Sequence, residues 1–370
     1  MLIGVPKEIK NKENRVGMTP YGIERLVKLG HKVYVEKNAG VGSGFLDDEY
    51  KKFGAIVLPN AKSVYDKAKM IVKIKEPLET EFSLIKRGQI IFTYLHLAAE
   101  KTLTKFLLHH EITGIAYETI EDRDKKLPLL EPMSQVAGRM SIQVGAHYLE
   151  KTHGGRGVLL GGTDKVKPAK VMVLGYGIAG SNAVQMARGL GARVTVLEID
   201  KNKIKDINEL KDPYLVAKKY SLQIIKKDIA DQDLVVGAVL IPGAKAPRLV
   251  TRKMVQTMKP GSVIVDISID QGGCFETSRP TSHEHPIYRV YDVVHYCVTN
   301  MPGAVARTST MAITSATLPY IIKIAKNNLR SLCKKDISIA KGVNTHQGFL
   351  TYRAVADAFN LQYTSLDKII

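Results

Sequence analysis

The sequence predicts an α/β protein of two domains, each a parallel sheet flanked by helices. Three observations predict it. The chain has 370 residues, enough for about two domains that each bury a core. Short apolar runs recur between helix-period segments along the chain, the alternation expected of parallel sheets with helices on both faces. A glycine-rich turn then joins one such run directly to a helix, in Val171-Met-Val-Leu-Gly-Tyr-Gly-Ile-Ala-Gly180.

In chain order, Leu2–Val5 reads as a first strand and Thr19–Leu29 as a helix opened by the Thr19-Pro20 cap pair. His31–Glu36 is a second strand. Met70–Lys75 is another, stopped by Glu76-Pro77, and Gln89–Leu95 is apolar almost throughout, as parallel strands are. A short strand falls at Ile115–Tyr117. A long helix is expected from Met133 to Lys151, followed by the loop His153-Gly-Gly-Arg-Gly157. After the glycine turn come strands at Arg193–Leu197, Asp233–Leu240, Ser262–Ile267 and Val290–Val294. Ser309–Ala340 reads as helices that return to the first domain. The expected division is therefore 1–130 with 305–370, and 131–304, with the active site in the cleft between the two domains.

The glycine turn carries the most specific chemistry. Gly175, Gly177 and Gly180 form the Gly-x-Gly-x-x-Gly pattern of a Rossmann-like dinucleotide site. One glycine makes the turn, one lets backbone approach the pyrophosphate, and one allows close helix–strand packing. The following helix start offers unpaired N–H groups and a positive dipole end to the anion. Glu198 ends the next strand, about 20 residues on, where an acid meets the ribose hydroxyls. A carboxylate there repels a 2′-phosphate, which favours NAD over NADP. Asp200 lies beyond the strand and is expected to cap the helix starting near Lys201.

Composition narrows the class. The net charge is +18, but the lysines of 201–227 and 323–341 alternate with acids and apolar residues. A solvated lysine-rich surface is expected rather than nucleic-acid binding. The longest uncharged run, Val171–Ala187, is broken by its glycine turn and too short for a membrane span. The N-terminus reads as a strand followed by charges rather than a signal peptide. Cys274, Cys297 and Cys333 have no metal spacing and suit reduced thiols in a cytoplasmic enzyme with no metal.

Ligands of open parallel sheets sit outside the carboxyl ends of the strands. Arg15, Lys75, His96 and Asp270 are predicted at such ends, a set of two cations, an imidazole and a carboxylate. Each alone has an ordinary structural reading: surface charge, solvated pair, packed ring or turn former. Together they favour a site.

Longer strings then become recognisable. They are Gly4-Val-Pro-Lys-Glu8, Asn14-Arg-Val16, Lys73-Ile-Lys-Glu-Pro77, Leu95-His-Leu-Ala-Ala99, Leu130-Glu-Pro-Met-Ser134, Gly154-Gly-Arg-Gly-Val-Leu159, Gly237–Pro247, Asp270-Gln-Gly-Gly-Cys274 and Asn300-Met-Pro302. Over essentially its whole length the chain resembles the L-alanine dehydrogenase family. The resemblance implies interconversion of L-alanine with pyruvate and ammonium using NAD, through an imine. It implies that Arg15 and Lys75 bind the substrate carboxylate and keto group, that Met133 abuts the substrate methyl, and that His96 is the general acid/base, with Asp270 assisting.

For the cofactor, the resemblance implies Ser134 near the pyrophosphate and Glu198 on the ribose, with Lys203 close by. Val239, Leu240, Ile267, Ser268, Ile269, Val298, Thr299, Asn300 and Met301 would line the nicotinamide half, with Arg279 nearby. Ser221 would contact adenine, although 211–227 matches poorly. The family implies a homohexamer. Three other readings compete: the NAD(H)-binding subunit of a proton-translocating transhydrogenase, a saccharopine-type dehydrogenase, and a basic binding protein. The Lys75/His96 pair argues against the first, and the second needs room for a long lysine-derived substrate.

Overall fold

In the computed structural model, which describes residues 1–239 and 245–370, the chain divides into two units, Met1–Met133 with Val305–Ile370, and Ser134–Ala304. The helix Glu131–Leu149 carries the chain from the first to the second. In chain order the strands are β1 (Leu2–Val5), β2 (Lys32–Glu36), β3 (Ile56–Leu58), β4 (Met70–Val72), β5 (Ile90–Thr93) and β6 (Thr113–Ala116). The second unit contributes β7 (Lys170–Leu174), β8 (Arg193–Glu198), β9 (Leu215–Lys219), β10 (Leu234–Gly237), β11 (Val263–Asp266), β12 (Ile287–Val290) and β13 (Val293–Tyr296). β14 (Val343–His346) and β15 (Phe349–Leu350) close the first.

The first sheet has the order β15-β14-β6-β5-β4-β1-β2-β3. Pairing is parallel from β3 through β6 and antiparallel at β14 and β15. Its two faces bury different residues of the same strands. Met70 and Val72 join one core with Ile3, Val5 and Ile313, while Ile71 joins another with Ile91, Leu103 and Leu107. Burial on both sides is why these strands read as unbroken apolar runs. Each buried Ile, Leu or Val contributes about 1.5–3 kcal/mol, so the sheet's position is set by these residues rather than by its short edge strands.

The second sheet runs β12-β13-β11-β10-β7-β8-β9, parallel except for the β12–β13 pair. Its direction of winding reverses between β7 and β10, both neighbours in register from Leu234↔Val171 to Gly237↔Leu174. Such a switch point opens a crevice at the strand ends. The helix Glu131–Leu149 packs tightly there, since a Cβ on Gly138 would lie 2.1 Å from the Ala179 carbonyl oxygen.

Both sheets are mostly parallel, as expected, each with an antiparallel edge. One expectation needs correction. The single strand predicted at Val290–Val294 is a hairpin: Tyr291 and Asp292 both take left-handed φ, 51° and 59°, between β12 and β13. A two-residue turn of this kind usually signals itself with Asn-Gly, which is absent here. The helices expected over Ser309–Ala340 are present, and after them β14 pairs back to β6 while β15 pairs with β14. Among the described residues, no helix is long and apolar enough to cross a membrane.

Candidate active site

In the first unit the switch point lies between β1 and β4, and three adjacent parallel strands deliver the expected residues. Arg15 follows β1, Lys75 follows β4 and His96 follows β5. Arg15 is almost wholly buried, 2% exposed. Its Nε and Nη2 donate to the two carboxylate oxygens of Glu13 at 2.7 and 2.6 Å, and Nη1 approaches Met133 Sδ at 3.2 Å. Burial alone would lower the Arg15 pKa, but the bidentate Glu13 contact outweighs it and holds the group above its ordinary value. The guanidinium is thus a permanent, fixed cation beside the methionine expected to bound a substrate methyl.

Lys75 is half-buried, and its loop is pinned by a buried acid. The Glu8 carboxylate accepts from the Ile74 N–H at 2.6 Å and the Lys75 N–H at 3.4 Å. Thr93 Oγ1 donates to the Lys75 carbonyl at 3.1 Å, tying the loop to the end of β5. Glu8 itself is held in an ion network: Lys73, fully buried, lies 3.4 Å from Glu8 and 2.7 Å from Glu81, to which Tyr65 also donates at 3.0 Å. Burial pushes the Glu8 carboxyl up, and Lys73 opposes it.

His96 is exposed and takes a left-handed backbone conformation, φ 49°. Glu118, just after β6, accepts from the His96 N–H at 2.6 Å and the Leu95 N–H at 3.1 Å. The ring stacks at 5.9 Å on Tyr94, whose hydroxyl donates to the Leu129 carbonyl at 2.5 Å. Backbone outliers of this kind persist only where surroundings over-determine them, and they cluster at functional sites.

In the second unit the glycine turn has the expected form. Gly175 has φ 91°, and a Cβ on Gly180 would lie 2.0 Å from the Gly175 carbonyl oxygen. Gly177 is different: a Cβ there would meet no protein atom within 4 Å, and its φ of −78° suits any residue. Glycine is not required there by the fold, so the open space is room for a ligand. Gly177→Val should therefore leave thermal stability nearly unchanged while weakening pyridine-nucleotide binding at least about tenfold, roughly 1.4 kcal/mol. Titration of NADH fluorescence alongside a melting curve checks both halves.

Glu198 ends β8, 7% exposed, and accepts from Tyr176 N–H at 2.7 Å, Ile199 N–H at 2.7 Å and Asp200 N–H at 3.1 Å. A carboxylate has about four acceptor positions, so one remains for a further donor. Lys203 Nζ approaches the Tyr176 carbonyl at 3.4 Å. Asp200 caps the next helix by accepting from Asn202 N–H at 2.8 Å. Ser221 also caps a helix, accepting from Ile224 N–H at 3.2 Å, a structural task that leaves its proton to donate.

Val239 is half-buried beside Gly175, and Leu240 lies outside the described residues. Ile267, Ser268, Ile269 and exposed Asp270 form the turn Ile267–Gln271 after β11. Buried Asp266 fastens this turn, accepting from Ser268 N–H at 3.1 Å, Cys274 N–H at 2.9 Å and Ser278 Oγ at 2.5 Å. Ser268 Oγ donates to the Val239 carbonyl at 2.7 Å. Val298, Thr299, Asn300 and Met301 follow β13, with Asn300 left-handed at φ 61° and its carbonyl 3.1 Å from His283 Nε2. Arg279 lies 4.3 Å over the Tyr288 ring, and Ser134 is half-buried in the first turns of its helix.

Sequence reasoning missed the supporting acids: Glu13, Glu8, Glu118 and Asp266. Glu8 could have been found, because it ends the string Gly4-Val-Pro-Lys-Glu8.

Comparison with known proteins identifies close relatives. Residues 4–137 match the family model described as alanine dehydrogenase/PNT, N-terminal domain, and residues 141–353 match the one described as alanine dehydrogenase/PNT, C-terminal domain. The chain is 54% identical over 374 residues to an alanine dehydrogenase of Methanococcus maripaludis, covering 100% of both chains. It is similar to a solved L-alanine dehydrogenase with a TM-score of 0.95 and 48% identity, covering 97% of this chain and 99% of that one. A solved transhydrogenase from Sinorhizobium meliloti is more distant, with a TM-score of 0.83 and 25% identity over 95% of this chain and 100% of that one.

Proposed function

The chain belongs to the alanine dehydrogenase/PNT family and is an oxidoreductase that interconverts L-alanine with pyruvate and ammonia; we propose that NAD is its nucleotide and that Arg15, Lys75, His96 and Asp270 carry the chemistry. The observation that carries the activity is 54% identity to an alanine dehydrogenase over the whole of both chains. The transhydrogenase likeness, at 25%, is far weaker.

The residues present fit a pyridine nucleotide. The open space at Gly177 admits a diphosphate, and the start of the helix Ile178–Gly189 supplies N–H donors to it. Glu198 takes a ribose hydroxyl and disfavours a 2′-phosphate. When bound, the nicotinamide supplies reversible hydride transfer. Ser134, Lys203, Ser221, Arg279, Val239, Leu240, the 267–269 turn and the 298–301 segment complete its surroundings in this reading.

In the aminating direction, Arg15 grips the pyruvate carboxylate, oriented by Glu13 from behind. Lys75 donates to the 2-oxo oxygen and withdraws charge from C2, so ammonia adds there. His96 protonates the resulting hydroxyl, and the C–O bond breaks to release water and leave the iminium. Asp270 carries the proton lost by the added nitrogen to the oxygen, making the hydroxyl that His96 protonates. Met133 restricts the side chain to a small group; one more carbon costs only about 1–3 kcal/mol, so 2-oxobutyrate remains a slow substrate. By the same resemblance the enzyme is a cytoplasmic homohexamer.

Initial rates of pyridine-nucleotide oxidation test the reading. NADH with pyruvate and ammonium should turn over, and NADPH should be at least about tenfold poorer in kcat/KM. Equal use of NADPH would remove Glu198 from its role. No turnover with pyruvate would remove the substrate assignment.

A further inference from the structure

We infer that His147, Glu150 and His153 form a binding site for one divalent transition-metal ion of the zinc class. The site lies within the second unit, at the end of the helix Glu131–Leu149, and takes no part in the chemistry above. Among the described residues it is the one cluster of three or more His, Cys, Asp or Glu whose ligand atoms all lie within 4.8 Å of one another.

The local sequence builds it. His147 sits in the last helical turn, and Glu150 three residues on falls on the same face, with His147 Nδ1 4.0 Å from Glu150 Oε1. The helix then stops and folds back. Gly155 N–H donates to the Glu150 carbonyl at 2.9 Å and Gly157 N–H to the Leu149 carbonyl at 2.8 Å. Gly154 is left-handed at φ 90°, and a Cβ on Gly155 would lie 2.2 Å from the Tyr148 carbonyl oxygen, so the turn needs both glycines. This fold-back brings His153 Nδ1 to 3.1 Å from Glu150 Oε2 and its ring centroid to 3.7 Å from that of His147.

The donor chemistry points to a metal of this class. Two imidazoles and a carboxylate are the set zinc accepts, at about 2.0–2.2 Å, which puts neighbouring ligand atoms about 3.4 Å apart in a tetrahedron. The observed spacings require shifts of roughly an ångström, within reach of exposed side chains. Magnesium and calcium, which demand oxygen ligands, do not suit the pair of nitrogens. His147 also lines a cavity of about 360 Å³ with Tyr148, His283 and Tyr296, leaving space beside it for a fourth, exchangeable ligand.

Calorimetric titration of the full-length protein with zinc chloride tests the site, repeated with magnesium chloride. One zinc per chain should bind, magnesium should not, and His153→Ala and Glu150→Gln should each weaken zinc by about tenfold or more. A variant altered at His109 and His110, an exposed pair in the other unit, should bind zinc as the parent does. The three cysteines are buried and do not compete. Cobalt(II) gives a second readout: its visible absorption should appear with the parent and vanish with the His147→Ala, His153→Ala double variant. Because all three ligands are exposed, these variants should melt as the parent does without metal. Absence of saturable zinc binding, or equal zinc affinity in the parent and the double variant, overturns the site.

Discussion

His96→Ala is expected to lower kcat for pyruvate amination by about 10²–10⁴-fold while leaving the dissociation constant for NADH within about twofold. The size follows from what the imidazole does in this account. An imidazole nitrogen can both give a proton to the departing hydroxyl and take it back in the reverse direction, which the two cations of the first unit's set are not suited to do. Its surroundings hold position rather than stability. The Glu118 carboxylate fixes the backbone through two N–H groups, 2.6 and 3.1 Å away, and neither bond involves the ring. Alanine at φ 49° keeps both bonds and the same backbone. His96→Asn is the control, because asparagine tolerates the left-handed region and donates hydrogen bonds but carries no mobile proton at neutral pH. Both variants should be equally slow; near-normal rates in either would make another group the acid.

Arg15→Lys is expected to raise KM for pyruvate about 10–100-fold, with a smaller change in kcat and unchanged NADH binding. Arginine spends its Nε–Nη2 edge on Glu13 and has Nη1 on a different side, next to Met133. A lysine ammonium has one nitrogen and cannot satisfy a bidentate Glu13 and a substrate carboxylate together. Lysine is preferable to alanine as a probe. Removing the cation altogether would take the bidentate partner from the buried Glu13 carboxylate, at a cost of up to about 3–5 kcal/mol that would confuse binding with folding. Steady-state kinetics together with a melting curve separates the two. An unchanged KM in a folded variant would count against a carboxylate clamp at this position.

The two switch points were legible in the sequence for different reasons. The glycine turn announces itself because its residues are dictated by backbone geometry and a ligand's approach, both local. Strands such as β4 and β5 were legible because both faces are buried, which leaves a continuous apolar run. β3 and β9 were not read: Ile56 and Val216 are exposed, and β9 ends in lysines, so neither shows a clean period. β14 follows a helical region and finds its partner β6 more than two hundred residues earlier, a pairing no local pattern encodes. The supporting acids were invisible for a related reason. Charged residues are ordinarily exposed, and Glu8 is buried only because the fold carries Lys73 and the Ile74 N–H to it across 65 or more residues. Arg15 and Lys75 could be placed at strand ends from the sequence, whereas the acids that hold them are brought there only by the fold.

This chain reduces a carbon–nitrogen bond made from pyruvate and ammonia, with the hydride delivered to C2. Nuclear magnetic resonance of the product from pyruvate, nitrogen-15 ammonium and NADH deuterated at C4 on the transferring face tests it directly. The expected product is alanine that carries nitrogen-15 and one deuterium at Cα. Deuterated lactate would mean that the carbonyl is reduced without amination, and alanine without deuterium would mean that no hydride reaches C2; either result contradicts it.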